Sequence, residues 1–389
     1  MNHLYIHIPF CASRCGYCDF FSQAGCLSQG EAYVDALLAE LADSGIVGQA
    51  EHLPGELAKC GTGSMDDSAA GPGGLATVYL GGGTPTLLGS RLLERLLSAL
   101  RPLCRERAEI TVEANPSTVT PELAAGLAES GVNRVSLGAQ SFNRRLRKNL
   151  GRAGPMEAIG RAVKALRAAG FENVGLDLMF SIPEQTLADL EQDLIQALAL
   201  EPEHISCYEL TVKDGSDYQR RWQRQLEEVA GNGHRFYETV VDTLEGAGYR
   251  WYETSNYAHP GKECRHNLAY WQRADFFGLG AGAWSSQGLN RWRNVEDAGA
   301  YIEGAALGDW EGIREHERLS ERQQLTELLM LGLRVKNGID RQTVAEALDG
   351  EQENILLRNG FLLNEGGRIL LTRRGRFMAN EVCARLIKD

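Results

Sequence analysis

With 389 residues, a 43% hydrophobic share and a net charge of −12, the chain exceeds what one hydrophobic core sustains, so a large unit and a smaller one are expected. The negative charge repels phosphate backbones and argues against nucleic-acid binding, and no apolar run approaches the roughly 18 to 20 residues that span a bilayer. Residues 1–10 show neither a basic n-region nor a cleavable apolar stretch, so a cytoplasmic setting is expected, in which nine cysteines are candidate ligands rather than a disulfide framework.

In chain order, the pattern predicts a strand over 4–8, a cysteine-bearing loop, and a helix over 31–41. Residues 45–76 are rich in Gly, Ser, Ala and Asp with little apolar periodicity, and they read as a flexible insertion. Strands follow over 77–80, 110–113, 134–137, 174–178 and 204–209. Helices over 90–100, 122–129, 155–169 and 187–198 lie among them, each with apolar residues at three- and four-residue spacing. This alternation implies parallel α/β units and a full or partial TIM-like (β/α) barrel, here assigned to residues 1–300. Residues 301–389 read as a small winged-helix-like domain. It has a helix over 321–333, a second helix opened by Asp340, strands over 361–364 and 368–371, and a last helix capped by Thr372 and ending near Ile387. In an acidic chain such a domain reads as a packing module rather than a DNA reader.

The segment Cys11-Ala-Ser-Arg-Cys15-Gly-Tyr-Cys18 puts three thiols on one loop directly after the first strand. Three thiolates can hold three irons of a cubane cluster and leave the fourth open to another ligand. A zinc site would normally pair two short Cys/His spacings, and no second pair accompanies this triplet. Cys26 stands apart as a bystander thiol. Further on, Gly81, Gly82 and Gly83 carry no β-carbon, so the backbone before Thr84 and Pro85 can approach a ligand closely. Glu113, Gln140, Arg152 and Asp177 are polar residues at or just past strand ends, where a purely structural core prefers apolar side chains. Barrel active sites gather there, and surface salt bridges are the alternative use of these residues. If residues 266–271 are helical, His266 and Tyr270 share one face while Asn267 and Trp271 share an adjacent one. Imidazole can ligate haem iron and flat rings can stack on a porphyrin. A packed, hydrogen-bonded histidine is the plainer alternative.

Taken with Tyr5-Ile6-His7-Ile8-Pro9-Phe10, Tyr79-Leu80-Gly81-Gly82-Gly83-Thr84-Pro85-Thr86, Glu113-Ala114-Asn115-Pro116 and Gly138-Ala139-Gln140-Ser141-Phe142, the cysteine triplet resembles the radical S-adenosylmethionine (SAM) superfamily. Within it the chain resembles the oxygen-independent coproporphyrinogen III oxidase subgroup. The segment His266-Asn267-Leu-Ala-Tyr270-Trp271 and the C-terminal module are similar to the haem-chaperone branch of that subgroup, so the resemblance covers most of the chain. It implies a [4Fe–4S] cluster on Cys11, Cys15 and Cys18, with Tyr5 near the cluster. It implies SAM contacts from Tyr17, Gly82, Gly83, Thr84 and Glu113, with Gln140, Arg152 and Asp177 toward the SAM carboxylate or ribose. It further implies haem b as cargo at His266, Asn267, Tyr270 and Trp271, carried to recipient haemoproteins of the respiratory chain. Membrane contact would run only through a recipient, the chain being a monomer or dimer, and no residue is assigned a catalytic role. Gly154, Ser181, Glu184 and Trp284 depart from the family pattern, a His being usual at the first and last and glycines at the other two.

Two functions compete. The decarboxylating enzyme carries a further cysteine two positions after the triplet and an N-terminal extension before it. Here Asp19 and Phe20 follow Cys18, and only ten residues precede Cys11. Both features favour the chaperone over oxidative decarboxylation of coproporphyrinogen III. A generic radical SAM enzyme on an unrelated substrate fits the N-terminal half equally well.

Overall fold

The computed structural model describes residues 1–46, 74–152 and 154–388. Strand β1 (His3–Ile8) alternates. Leu4, Ile6 and Ile8 are buried in the main core, which leaves His3, Tyr5 and His7 on the opposite face. A short parallel pair, β2 (Phe10–Cys11) and β3 (Gln23–Ala24), brackets the cysteine loop, and helix α1 (Gly30–Asp43) follows.

The α/β units then run β4 (Leu75–Gly82), α2 (Gly89–Leu100), β5 (Cys104–Ala114), α3 (Pro121–Glu129), β6 (Arg134–Gln140), α4 (Arg144–Asn149), α5 (Glu157–Ala168), β7 (Val174–Phe180), α6 (Leu187–Leu198) and β8 (His204–Glu209). Each forms for legible reasons. In α2 the buried residues are Leu92, Leu93, Leu96, Leu97 and Leu100, one helical stripe, and α6 opens with a capping box between Thr186 and Asp189. Next come α7 (Asp217–Ala230), α8 (Gly233–Gly246), β9 (Arg250–Glu253), β10 (Asn256–Ala258) and α9 (Arg265–Trp271). After these lie β11 (Phe276–Leu279), β12 (Trp284–Gln287), β13 (Asn290–Asn294), α10 (Ala298–Leu307) and β14 (Arg314–Arg318).

These strands form one sheet in the order β14-β13-β12-β11-β1-β4-β5-β6-β7-β8-β10-β9. From β11 to β8 every pairing is parallel, and antiparallel strands extend both ends. The fold is therefore the expected mixed α/β class, with an open parallel sheet at its centre. All six predicted strands fall inside β1 and β4–β8. The five predicted helices are present as well, the one expected over 155–169 being shortened to α5. In-register partners share a face, so the rows Tyr5–Tyr79–Thr111–Arg134, Glu113–Ser136–Gly175–His204 and Gly138–Asp177–Ser206 lie together on the side away from the buried residues Leu4, Ile6 and Ile8 of the main core. That face carries polar side chains in β1 and β4–β8, unusual for a parallel sheet, whose strands commonly read as continuous apolar runs.

The smaller unit comprises α11 (Glu321–Gly332), β15 (Ile339–Asp340), α12 (Gly350–Arg358), β16 (Leu362–Glu365), β17 (Arg368–Leu371), α13 (Arg373–Phe377) and α14 (Ala379–Leu386). It has its own sheet, β15-β17-β16, and its own apolar cluster around Leu329, Leu333, Leu356, Leu362, Ile369 and Leu386. Four expectations need correction. Asp340 opens no helix: pairing with Arg368 keeps it in β15, its side chain holds a turn at Thr343, and the helix starts at Gly350 under an Asp349 cap. The last helix is broken at Met378, although Thr372 does cap its first part. Helix α10 crosses residue 300, and Tyr301 and Trp310 belong to the main core, so the larger unit runs past the expected boundary. Finally, the expected insertion over 45–76 ends early, because Leu75 and Ala76 already belong to β4; its stretch 47–73 lies outside the described residues.

Candidate functional site

The cysteine loop sits against the end of β4. Cys11, Cys15 and Cys18 are all free and partly exposed, and the loop is closed by a bond from Cys18 N to Cys15 O of 3.2 Å. Burial pushes the thiols of Cys11 and Cys18 up, and the neighbouring Cys15 adds to both, so the three share one electrostatic environment. Among the described residues no three His, Cys, Asp or Glu side chains converge as a single-ion site needs. A cubane places each thiolate on a different iron and does not ask for such convergence. Three unpaired thiols on one loop, with the Arg152 guanidinium donating to Cys15 Sγ at 3.9 Å, suit an anionic cluster.

Around this loop the strand ends gather polar groups. Arg152 donates to Gly138 O, while its buried Nε has no partner. Glu113 accepts from Tyr79 Oη at 2.7 Å and from Gly82 N at 3.2 Å. Burial, aided by the nearby Asp177 charge, pushes the Glu113 carboxyl up to about 7. Asp177 accepts from Ser136 Oγ at 3.0 Å and is likewise raised by burial. Gln140 ends β6 at φ +67° and accepts from Tyr208 Oη at 2.9 Å. Tyr17 packs edge-on to Tyr218. The structure thus brings Cys15, Arg152, Asp177 and Glu113 into one electrostatic neighbourhood.

The glycines also have a packing reason that their sequence does not show. A Cβ on Gly82 would stand 2.6 Å from His7, and one on Gly83 2.6 Å from Phe10 O, so close packing of β4 on β1 already requires them. Their backbone donors are also engaged: Gly82 N to Glu113, Gly83 N to Ile8 O and Thr84 N to Phe10 O.

A cavity of ≈900 Å³ continues from Glu113 along the polar face of the sheet. Tyr5 and Tyr79 stack within it at 6.2 Å, and His266 lies 5.2 Å from Tyr79 and 4.7 Å from Tyr270 between ring centroids. Helix α9 is aimed there by Glu109, whose carboxylate accepts from the backbone N–H groups of Arg265 and His266 at 2.9 and 3.0 Å, an anion at a helix N-terminus. His266 is 1% exposed. Burial lowers its pKa to about 3, so the ring is neutral. Its Nδ1 lies 2.7 Å from Thr77 Oγ1, and its Nε2 has no partner. Asn267 and Tyr270 line the cavity too. Trp271 does not. Its ring lies under Arg334 at 5.7 Å, and it donates to the buried Glu253.

Sequence reasoning passed over His7, Arg273, Arg291 and Glu327, all of which line the cavity. His7 Nε2 donates to Phe21 O at 2.9 Å while Nδ1 accepts from Tyr5 Oη at 3.0 Å. The signal for it was present: His3, Tyr5 and His7 alternate with Leu4, Ile6 and Ile8. The family departures also have local causes. Gly154 sits at φ +98°, where a Cβ would come within 2.3 Å of Ser117 Oγ. Ser181 and Glu184 keep the positive φ of glycine, +57° and +67°, and Trp284 is 42% exposed at the cavity mouth beneath Arg291 and Arg293.

Residues 67–196 match the Radical SAM superfamily. Over its whole length the chain is similar to the heme chaperone HemW of Lactococcus lactis, 33% identical with 100% of this chain and 98% of the relative covered. It is similar to that of Bacillus subtilis at 34%, with 98% of each covered. The HemW of Escherichia coli is 38% identical over 72% of this chain and 68% of the relative. In fold it is similar to the coproporphyrinogen III oxidase HemN of Escherichia coli, with a TM-score of 0.73, 21% identity, and 99% of this chain and 89% of that one covered.

Proposed function

The chain belongs to the HemW family of the radical SAM superfamily, and from that premise we propose that it binds haem in the ≈900 Å³ cavity and hands it to haemoproteins of the respiratory chain. Membership of the superfamily implies a [4Fe–4S] cluster and SAM. Cys11, Cys15 and Cys18 would hold the cluster, and together the two cofactors supply one-electron chemistry when bound. Toward SAM, the unpartnered Nε of Arg152 offers a donor for a carboxylate, and the Asp177 carboxylate suits ribose hydroxyls. Because the N–H groups of Gly82, Gly83 and Thr84 are engaged, their contribution would come from carbonyl oxygens, with Glu113, toward the SAM ammonium group.

The observation that carries the haem reading is His266 Nε2, buried, without a partner, on a neutral ring that lines a cavity walled by Tyr5, Tyr79 and Tyr270. Iron ligation needs a lone pair on that nitrogen, hence a proton on Nδ1 donated to Thr77, which can in turn donate to His3 Nδ1 at 2.9 Å. Such an outer hydrogen bond orients a ligating imidazole and raises its basicity. Asp19 and Phe20, standing where the decarboxylating enzyme has its further cysteine, support the chaperone over the enzyme. No helix among the described residues is long and apolar enough to cross a membrane, so a membrane-bound recipient would be met by surface contact.

The test is anaerobic reconstitution followed by haem titration. The wild type should carry about four irons before haem is added, and a triple Cys11→Ala, Cys15→Ala, Cys18→Ala variant none. His266→Ala should shift the haem absorption spectrum while leaving cluster iron unchanged. Consumption of coproporphyrinogen III by a wild type that binds no haem at micromolar concentration would reverse the reading in favour of the enzyme.

A further inference from the structure

The mouth of the cavity is built from charge as well as rings. Arg273, just past α9, is held at φ +56°, a conformation costly for a residue with a β-carbon. Its Nε donates to Glu327 Oε2 at 3.2 Å and its Nη2 to Gly288 O at 3.0 Å. Arg291 of β13 donates through Nη1 to the other oxygen of the same Glu327 and through Nη2 to Glu317 Oε2 at 2.6 Å. Its Nε is buried without an acceptor. All three side chains line the cavity, so one carboxylate from α11 is gripped by two guanidinium groups of the larger unit. Met330 and Leu331 of the same helix supply apolar wall beside it, and Phe20 and Trp284, 69% and 42% exposed, are also on the lining.

Planar guanidinium forks are matched to carboxylates, and here they border a cavity of apolar and aromatic lining. That combination suits a flat apolar ring system bearing carboxylates at one edge. We propose that Arg273 and Arg291 are the carboxylate-binding residues for the cargo and that Glu327 is a built-in competitor for them. An incoming carboxylate takes the N–H groups that Glu327 uses, with the idle Arg291 Nε as an additional donor, and so releases α11 from the mouth. Cargo binding and loosening of the C-terminal unit thereby become one event. The inference rests on the haem reading above and adds to it which groups of the cargo are recognised and what they displace.

The experiment uses the full-length protein and two fluorescent probes, zinc deuteroporphyrin and its dimethyl ester, titrated in the same trace detergent. The wild type should bind the diacid about tenfold more tightly than the ester, the worth of a charge-assisted contact after its competitor is displaced. Glu327→Gln should tighten the diacid by about tenfold and leave the ester unchanged. Arg291→Gln should abolish the preference. Amide exchange in α11 should quicken on adding diacid and not on adding ester. If Glu327→Gln misfolds, Glu327→Asp, which keeps the charge but shortens its reach, should give a smaller gain of the same sign. Equal wild-type affinity for the two probes, or a Glu327→Gln variant weakened for both, overturns the exchange while haem binding stands. A wild type that binds neither haem nor either probe overturns both readings together.

Discussion

Glu113 and Glu40 are both carboxylates removed from water, and their surroundings treat them differently. Glu113 has two donors, Tyr79 and Gly82, which do not offset the loss of solvent, so its pKa rises from 4.5 to about 7. A raised folded-state pKa contributes stability that is complete below pH 4.5 and lost as pH climbs through 7; above that, the buried charge costs roughly 3 kcal/mol. Glu113→Gln should therefore gain on the wild type by up to about that amount between pH 4.5 and pH 8. Urea titrations of the cofactor-free protein at each pH would read it, and a pH-independent difference would show that Glu113 is not the group responsible. Glu40, fully buried on α1, instead accepts from Gly280 N at 2.9 Å, Asn294 Nδ2 at 2.8 Å, Tyr301 Oη at 2.6 Å and Arg314 Nη2 at 2.9 Å. Glu40→Ala strands those donors and leaves the Arg314 charge uncompensated. Its expected cost is roughly 3 to 5 kcal/mol in chemical unfolding.

At the scale of elements, the end of β4 is where fold and site constrain each other. Gly83 has Phe10 O where its Cβ would be, whereas Gly89, six positions on at φ +75°, faces open space. Gly89→Ala meets only backbone strain and should cost roughly 1 kcal/mol without touching the cysteine loop. Gly83→Ala must push β4 from the strand that carries Phe10 and Cys11. It should cost roughly 2 kcal/mol or more and lower cluster iron as well. Equal iron content in the two variants would show that the loop tolerates that displacement. Helix α9 shows the same coupling from the other side: its N-terminus is held by Glu109, 157 positions away from His266, while Trp271 at its far end points toward Arg334 of the C-terminal unit.

At the scale of the molecule, that unit docks beside the sheet edge and the cavity mouth. Val335 bridges Glu253, and Lys336 N donates to Tyr252 O at 2.9 Å. Arg376 stacks over Trp251 at 4.3 Å, and Arg373 pairs with Glu238 and Asp242 on α8. The double variant Arg373→Ala, Arg376→Ala should weaken this docking by roughly 1 to 2 kcal/mol. Hydrogen exchange should then quicken at Lys336 and along α11 while β4 to β8 keep their protection. Uniform loss of protection would mean that the two units unfold as one.

Much of the architecture was legible because it depends on local rules. Strand alternation and helical spacing follow from backbone geometry, so the six strands and five helices of the α/β run could be located, and the cysteine triplet needs only its own spacing to suggest a cluster. The polar alternation His3, Tyr5, His7 and Glu109, Thr111, Glu113 was equally local, and it marked the polar face of the sheet, of which Tyr5, His7 and Glu113 line the cavity. Other features depend on which strands become neighbours and which helix end meets them. Asp340 looked like a helix cap until Arg368 paired with it, and Trp271, read with Asn267 as one face of the haem-binding helix, lies under Arg334 of the C-terminal unit instead. The glycines of β4 read as a ligand cradle, and only the packing of β1 against them shows that the fold itself also requires them. The shift of Glu113, the idle Nε2 of His266 and the meeting of Arg273, Arg291 and Glu327 arise from burial and from contacts across tens to hundreds of residues. Chain spacing alone does not determine those; the strand order of the sheet and the packing of α9 and α11 against it do.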